Sequence, residues 1–200
     1  MNPLNHFIIS LPKKHKDSLK VGGREIFLDS KFHEFEHRIS HAKIIGVPIK
    51  HDTGAEVGDT LFFHHHVAMS EMYALGDGKF WVQYNPTETM ASHAISYRSK
   101  KTGKLNMLGG WVFVDPIVIE EKEEVTDSGI ILSINVAPTD ESRAVVLIPN
   151  EALVREGVNT GDVVGFSKNS DYKMTLDDDS VVFRMRYESL VYVETKEKTV

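Results

Sequence analysis

The sequence predicts an all-β chain made of two small β-barrels in tandem. Three observations carry that expectation. Short runs rich in β-branched and aromatic residues recur at close spacing, each stopped by proline, glycine or aspartate turns. Few stretches show helical periodicity, which leaves strands as the main element. The order of landmarks also repeats. Gly58-Asp59 and Gly161-Asp162 stand 103 residues apart, Ile26 and Ile130 stand 104 apart, and Phe80-Trp81-Val82 and Val181-Val182-Phe183 stand 101 apart. Three landmarks at nearly one offset point to an internal duplication. The modules are expected at residues 1–108 and 109–200.

In the first module His6 to Leu11 reads as a short strand closed by Pro12. Lys13 to Lys20 is basic and polar and reads as a loop, Gly22-Gly23 as a turn, and Ile26-Phe27-Leu28 as an apolar triplet after it. Ala42 to Val47 is a strand stopped by Pro48, and Val57-Gly58-Asp59 turns the chain into a β-rich run, Thr60 to Val67. Gly76-Asp77-Gly78 is a hairpin signal before Phe80 to Tyr84, in which Phe80, Val82 and Tyr84 share a face. Ala94 to Tyr97 is a short strand, and Arg98 to Lys104 a basic connector.

The second module repeats this order. Val112 to Ile119 is a strand, Glu120 to Asp127 is an acidic stretch too polar to bury, and Ser128-Gly129-Ile130-Ile131-Leu132 ends it. Three large apolar residues on an acidic tether suit burial in a partner; the alternative is that Ile130 to Leu132 is simply the next strand. Arg143 to Ile148 is a strand stopped by Pro149, and Glu151 to Val158 holds one helical turn. Thr160-Gly161-Asp162 leads into Val163 to Phe166. Leu176 to Asp179 is an acidic turn, and Val181 to Tyr187 and Leu190 to Val193 are closing strands. In the first of these, Val181, Phe183, Met185 and Tyr187 are expected on one face, with Val182, Arg184 and Arg186 on the solvent side.

The 200 residues are 41% apolar and 26% charged, ordinary for a globular chain. No apolar run reaches membrane-spanning length. No charged segment precedes the apolar patch of Met1 to Ser10, so no signal peptide is expected. Absence of cysteine excludes disulfides and thiolate metal sites and fits a cytoplasmic location. Residues 1–110 carry a net charge of +3 and all ten histidines, whereas residues 111–200 carry −9. A net charge of −6 without a basic cluster beside aromatics argues against nucleic acid.

The second module resembles the co-chaperonin (GroES) family. Ile117 to Lys122 followed by Ser128-Gly129-Ile130-Ile131-Leu132 is similar to that family's first strand and mobile loop, which ends in a glycine and a hydrophobic tripeptide. Thr160-Gly161-Asp162-Val163-Val164-Gly165-Phe166 is similar to its Gly-Asp turn into a strand, and Val181 to Glu194 to its closing strands. The first module resembles it more loosely through Gly22-Gly23, Ile26-Phe27-Leu28 and Val57 to Phe63, with Arg24 and Glu25 inserted. Tandem copies resemble the double-domain co-chaperonins of plastids, and the divergence resembles phage-encoded ones. The resemblance implies two tandem GroES-like β-barrels forming a homo-oligomeric ring that caps a GroEL-type chaperonin and so acts on unfolded clients indirectly. Gly129, Ile130, Ile131 and Leu132 would dock on the chaperonin, and Ile26, Phe27 and Leu28 would form a second tag. It implies no catalytic residue, cofactor or metal ligand. The alternative is a viral structural or assembly protein built on the same barrels.

Other motifs compete. His33-Glu34-Phe35-Glu36-His37 fits H-E-x-x-H, whose histidines would bind zinc on one helix face with Glu34 as general base. Against a metallopeptidase, the segment has no clear cap and falls where the repeat expects loop and strand. The longer motif is also broken by Ser40 and Lys43. His64-His65-His66 would alternate faces if the strand ran through it, giving one partly buried ring and two solvated ones rather than one metal site. Asp177-Asp178-Asp179 lacks calcium-loop spacing and reads as a hairpin tip. No phosphate loop, dinucleotide fingerprint or nucleophile elbow is present.

Overall fold

The computed structural model describes residues 2–11, 18–22, 24–27, 38–87, 92–119 and 139–194. The chain divides into two units, Met1–Gly110 with Thr175–Ser180, and Trp111–Met174 with Val181–Val200. The fold is mostly β. No helix among the described residues is long and apolar enough to cross a membrane.

The first unit contains β1 (Phe7–Ser10), β2 (Ser18–Val21), β3 (Arg24–Phe27), β4 (His41–Gly46), β5 (Thr60–Phe63), α1 (His66–Met69), β6 (Ala74–Gly76), β7 (Lys79–Val82), β8 (Ala94–Arg98) and β9 (Leu105–Met107). Seven of these strands form one antiparallel sheet in the order β6-β7-β1-β4-β5-β8-β9, and β2-β3 form a separate two-stranded sheet. The second unit contains β10 (Trp111–Val118), β11 (Thr139–Ile148), α2 (Glu151–Arg155), β12 (Val163–Phe166), all but the last residue of β13 (Tyr172–Thr175), β14 (Val181–Arg186) and β15 (Leu190–Val193). Its sheet runs β13-β14-β10-β11-β12-β15. The two orders are the same for six strands, and the first unit adds β9 at one edge.

The likeness reaches individual atoms. Ile44 N–H donates to Asp59 O and Gly58 N–H to Ile44 O at 2.9 and 2.8 Å, and Val146, Asp162 and Gly161 repeat both bonds at the same distances. The Asp59 carboxylate accepts from Glu56 N–H at 2.8 Å, and the Asp162 carboxylate from Asn159 N–H at 2.8 Å. Gly58 and Gly161 sit at φ 94° and 90°, where a side chain is strained. Both last-strand pairings slip at the same place, between Phe62 and Phe63 against β8 and between Gly165 and Phe166 against β15. Register then fixes the correspondence. Ile9 pairs with Ile44 and Phe80, as Val114 pairs with Val146 and Phe183. Phe80 therefore corresponds to Phe183, an offset of 103 rather than the 101 read from the apolar triplets. Runs of consecutive apolar residues slide by two without changing face, so sequence could not fix this register.

Each unit has its own core. Phe7, Ile9, Ala42, Ile44, Leu61, Phe63 and Val82 are buried in the first. Their counterparts Val112, Val114, Ala144, Val146, Val164, Phe166 and Met185 are buried in the second.

Several expectations need correction. The run Thr60 to Val67 is not one strand: β5 stops at Phe63, His65 takes helical angles (φ −53°, ψ −25°), and α1 follows. The Lys13 to Lys20 loop contains the start of β2, which pairs with β3 across a turn at Gly22 with φ 58°. β9 and β13 are too short and too polar to show in sequence. The faces assigned to β14 are wrong at Val181, which is exposed, at Val182, which is buried, and at Arg184, which is buried with its guanidinium 5.0 Å from the Trp111 ring and 4.5 Å from the Tyr172 ring. Two aromatic faces replace water around that cation. Closed barrels were expected, but among the described residues neither ladder closes. In the first sheet, edge strands β6 and β9 are three residues long and each pairs on one side.

Candidate functional site

The duplicated fold puts one long connection at the same topological point in each unit, directly after the first strand. Residues 11–40 join β1 to β4, and residues 119–138 join β10 to β11. The predicted docking residues fall on these two connections. Gly129, Ile130, Ile131 and Leu132 lie outside the described residues, as does Leu28, and as do His33 to His37 of the zinc-peptidase pattern.

Ile26 and Phe27 are described, and they lie in β3 rather than on a free tripeptide. In the β2-β3 hairpin Ser18 pairs with Phe27, Leu19 with Ile26 and Val21 with Arg24. The inserted Arg24 and Glu25 thus form the strand that leaves the turn. Neither hairpin strand joins the seven-stranded sheet. Ile26 is 49% exposed and is not among the core residues of its unit. A two-stranded hairpin of this size has little stability of its own without packing on a sheet.

The roots of both connections are fixed. In the first unit Ser10 pairs with Lys43 across β1 and β4, and Lys43 Nζ donates to Thr60 Oγ1 at 2.9 Å. Leu11 N–H donates to Gly78 O at 2.7 Å. In the second unit the chain re-enters the sheet at Thr139. Arg143 Nε and Nη2 donate to the two Glu194 carboxylate oxygens at 2.7 and 3.0 Å, a bidentate pair. Asp140 accepts from the Ser142 backbone N–H and hydroxyl, both at 2.9 Å. The Ser142 N–H bond, more than the Arg143 charge, holds the Asp140 carboxyl below its usual range. Bonding to Arg143 does the same for Glu194.

The acidic run assigned to a hairpin tip connects β13 and β14. Thr175–Ser180 groups with the first unit. There Arg98 Nε donates to Asp177 at 2.8 Å and Nη2 to Asp178 at 2.9 Å. Hydrogen bonds from the Ser180 hydroxyl and backbone, then the Arg98 charge, lower the Asp178 carboxyl.

Sequence reasoning misread the histidine triplet. Because β5 ends one residue before it, His64, His65 and His66 turn about the strand-to-helix corner instead of alternating across a strand. Their ring centroids are 4.6, 4.5 and 4.7 Å apart, pair by pair. His65 is buried, His64 half-buried and His66 exposed, not one partly buried ring and two solvated ones. The signal that would have exposed this is Phe63-His64: Phe63 corresponds to Phe166, the last residue of β12.

No protein-family model matches the chain, and no curated protein matches it significantly.

Proposed function

We propose that the protein is a co-chaperonin: two GroES-like β-sheet units per chain, assembled as a homo-oligomeric ring that caps a GroEL-type chaperonin and assists folding of enclosed clients. One observation carries this reading. The same six-strand order occurs twice, and each copy places its apolar triplet on the long connection after its first strand. The exposure of Ile26 and the separation of its hairpin from the larger sheet support a docking role for that segment.

The physics of such a lid follows from weak, repeated contacts. Burying one Ile or Leu side chain in an apolar groove contributes about 1.5–3 kcal/mol. Ordering the tether around it costs a comparable amount, so one loop binds weakly. A ring presents several loops together, and effective concentration makes the sum tight yet reversible. Five carboxylates among residues 120–127 make burial of that stretch costly.

The test is co-elution of the full chain with a GroEL-type ring in the presence and absence of nucleotide. Parent protein should co-elute only with nucleotide. Ile131→Asp should lose binding at least tenfold while keeping its circular dichroism and melting temperature. Equal binding by the variant, or no nucleotide-dependent complex with the parent, rejects the proposal. Recovery of the chain in purified particles instead would favour the assembly-protein reading.

A further inference from the structure

Among the described residues one group of side chains meets the elementary requirement for a metal site. The side-chain ligand atoms of His64, His65 and His66 all lie within 4.8 Å of one another. We infer that this corner of the first unit binds one divalent transition-metal ion of the zinc class, with His64, His65 and His66 as three imidazole ligands and water completing the shell. The inference rests on the first unit alone and is independent of the co-chaperonin reading.

The backbone sets up the convergence. His64 N–H donates to His93 O at 2.9 Å, tying the corner to the chain just before β8. Val67 N–H donates to His64 O and Ala68 N–H to His65 O, both at 3.0 Å, so the first helical turn closes around the triplet. His64 Nδ1 accepts from His66 N–H at 3.3 Å. That bond uses the Nδ1 lone pair and leaves the ring proton on Nε2, so an ion would ligate His64 at Nδ1 by displacing this long bond while Nε2–H stays a donor. In a tetrahedral site with Zn–N of about 2.0–2.1 Å the nitrogens stand about 3.4 Å apart. Closing from 4.8 Å asks each ring to move by about 1 Å, within reach of small χ rotations.

Donor chemistry selects the ion. Three imidazoles without carboxylate or thiolate suit zinc, copper or nickel and not magnesium or calcium, which demand oxygen. His65 is buried, and the His93 ring lies 5.9 Å from that of His64 and 5.3 Å from that of Tyr73. The buried His65 on one side and the exposed His66 on the other give a half-sheltered site with an entry path.

The duplication supplies an internal comparison. The bond from His64 N–H to His93 O is matched by Ser167 N–H to Ser189 O, also at 2.9 Å. The corner of the second unit is therefore Ser167-Lys168-Asn169, with Asn169 at φ 60° and no metal ligand. The fold does not require histidine at this corner, and the first unit has three.

The experiment uses the full chain purified without a histidine tag, titrated with zinc chloride by calorimetry, with magnesium chloride as control. The parent should bind one Zn²⁺ per chain, and its melting temperature should rise with zinc and not with magnesium. Binding should weaken at least tenfold in His64→Ala/His66→Ala and persist in His33→Ala/His37→Ala. Long-range 1H–15N spectra of the imidazoles should show zinc-dependent shifts confined to His64, His65 and His66, a readout that a folding defect in a variant cannot imitate. Unchanged affinity in the His64/His66 variant, loss only in the His33/His37 variant, or imidazole shifts elsewhere would overturn the assignment.

Discussion

At the scale of single residues, the two units solve one packing problem with different side chains. Phe7 and Val82 oppose each other across β1 and β7. The corresponding pair across β10 and β14 is Val112 and Met185. All four are buried, so a large residue on one strand is offset by a small one on its neighbour, and the sides are exchanged between units. Phe62 opposite Ser96 and Gly165 opposite Tyr192 repeat the exchange. A Cβ on Gly165 would meet the Tyr192 ring at Cε1 and Cζ, so glycine is needed there for space and not for its φ. A sharp expectation follows for the first unit. Phe7→Val should leave a void and cost about 2–4 kcal/mol. Val82→Met in the same chain should restore much of that loss, because it imports the second unit's solution. Chemical denaturation of the two variants decides it: equal stability of single and double variant would show that the cores are not interchangeable.

Among the elements, the most closely conserved between units is the Gly-Asp turn that feeds β5 and β12. The aspartate binds back to the residue three before it, and its backbone oxygen accepts from β4 or β11. In the first unit Asp59 is buried and accepts a further bond from Lys100 N–H at 2.9 Å. Its counterpart Asp162 is half-buried. A buried donor left without its acceptor costs about 1–3 kcal/mol. Asp59→Ala should therefore destabilise by at least that amount and by more than Asp162→Ala, measured by denaturant midpoints of the two variants. The reverse order would mean that the turn is held by its glycine alone.

Across the whole molecule, two separate cores imply two cooperative units, and the first holds a titrating histidine that the second, without histidine, does not match. Burial pushes His6 below its ordinary value of 6.5, so its neutral form is favoured on folding. The unfolded chain binds that proton more readily, and the first unit loses stability as pH falls below 6.5. Hydrogen bonding lowers Glu194 from 4.5 and Asp140 from 3.8, so their contribution to the second unit is complete above those values and is lost only as pH falls through the lowered ones. Acid should unfold the first unit before the second. Trp81 lies 5.1 Å from His6 in the first unit, and Trp111 lies in the second. Fluorescence of Trp111→Phe and Trp81→Phe variants follows each unit in turn. Coincident transitions would show that the units unfold as one.

The amino-acid sequence alone determined the β class, the duplication and most strand positions, because period-two burial and glycine or proline stops are local properties. It also singled out the two apolar triplets and the three histidines. Register, sheet order and the burial of Arg184 were decided by tertiary structure. Each depends on which distant strand lies alongside, and a β-rich run such as Val181 to Val182 pairs equally well two residues out of step. The histidine corner shows the same limit. Whether His64, His65 and His66 alternate or converge depends on where β5 stops. The slip in its pairing to β8 and the closing of α1 set that point, and no property of the triplet itself does.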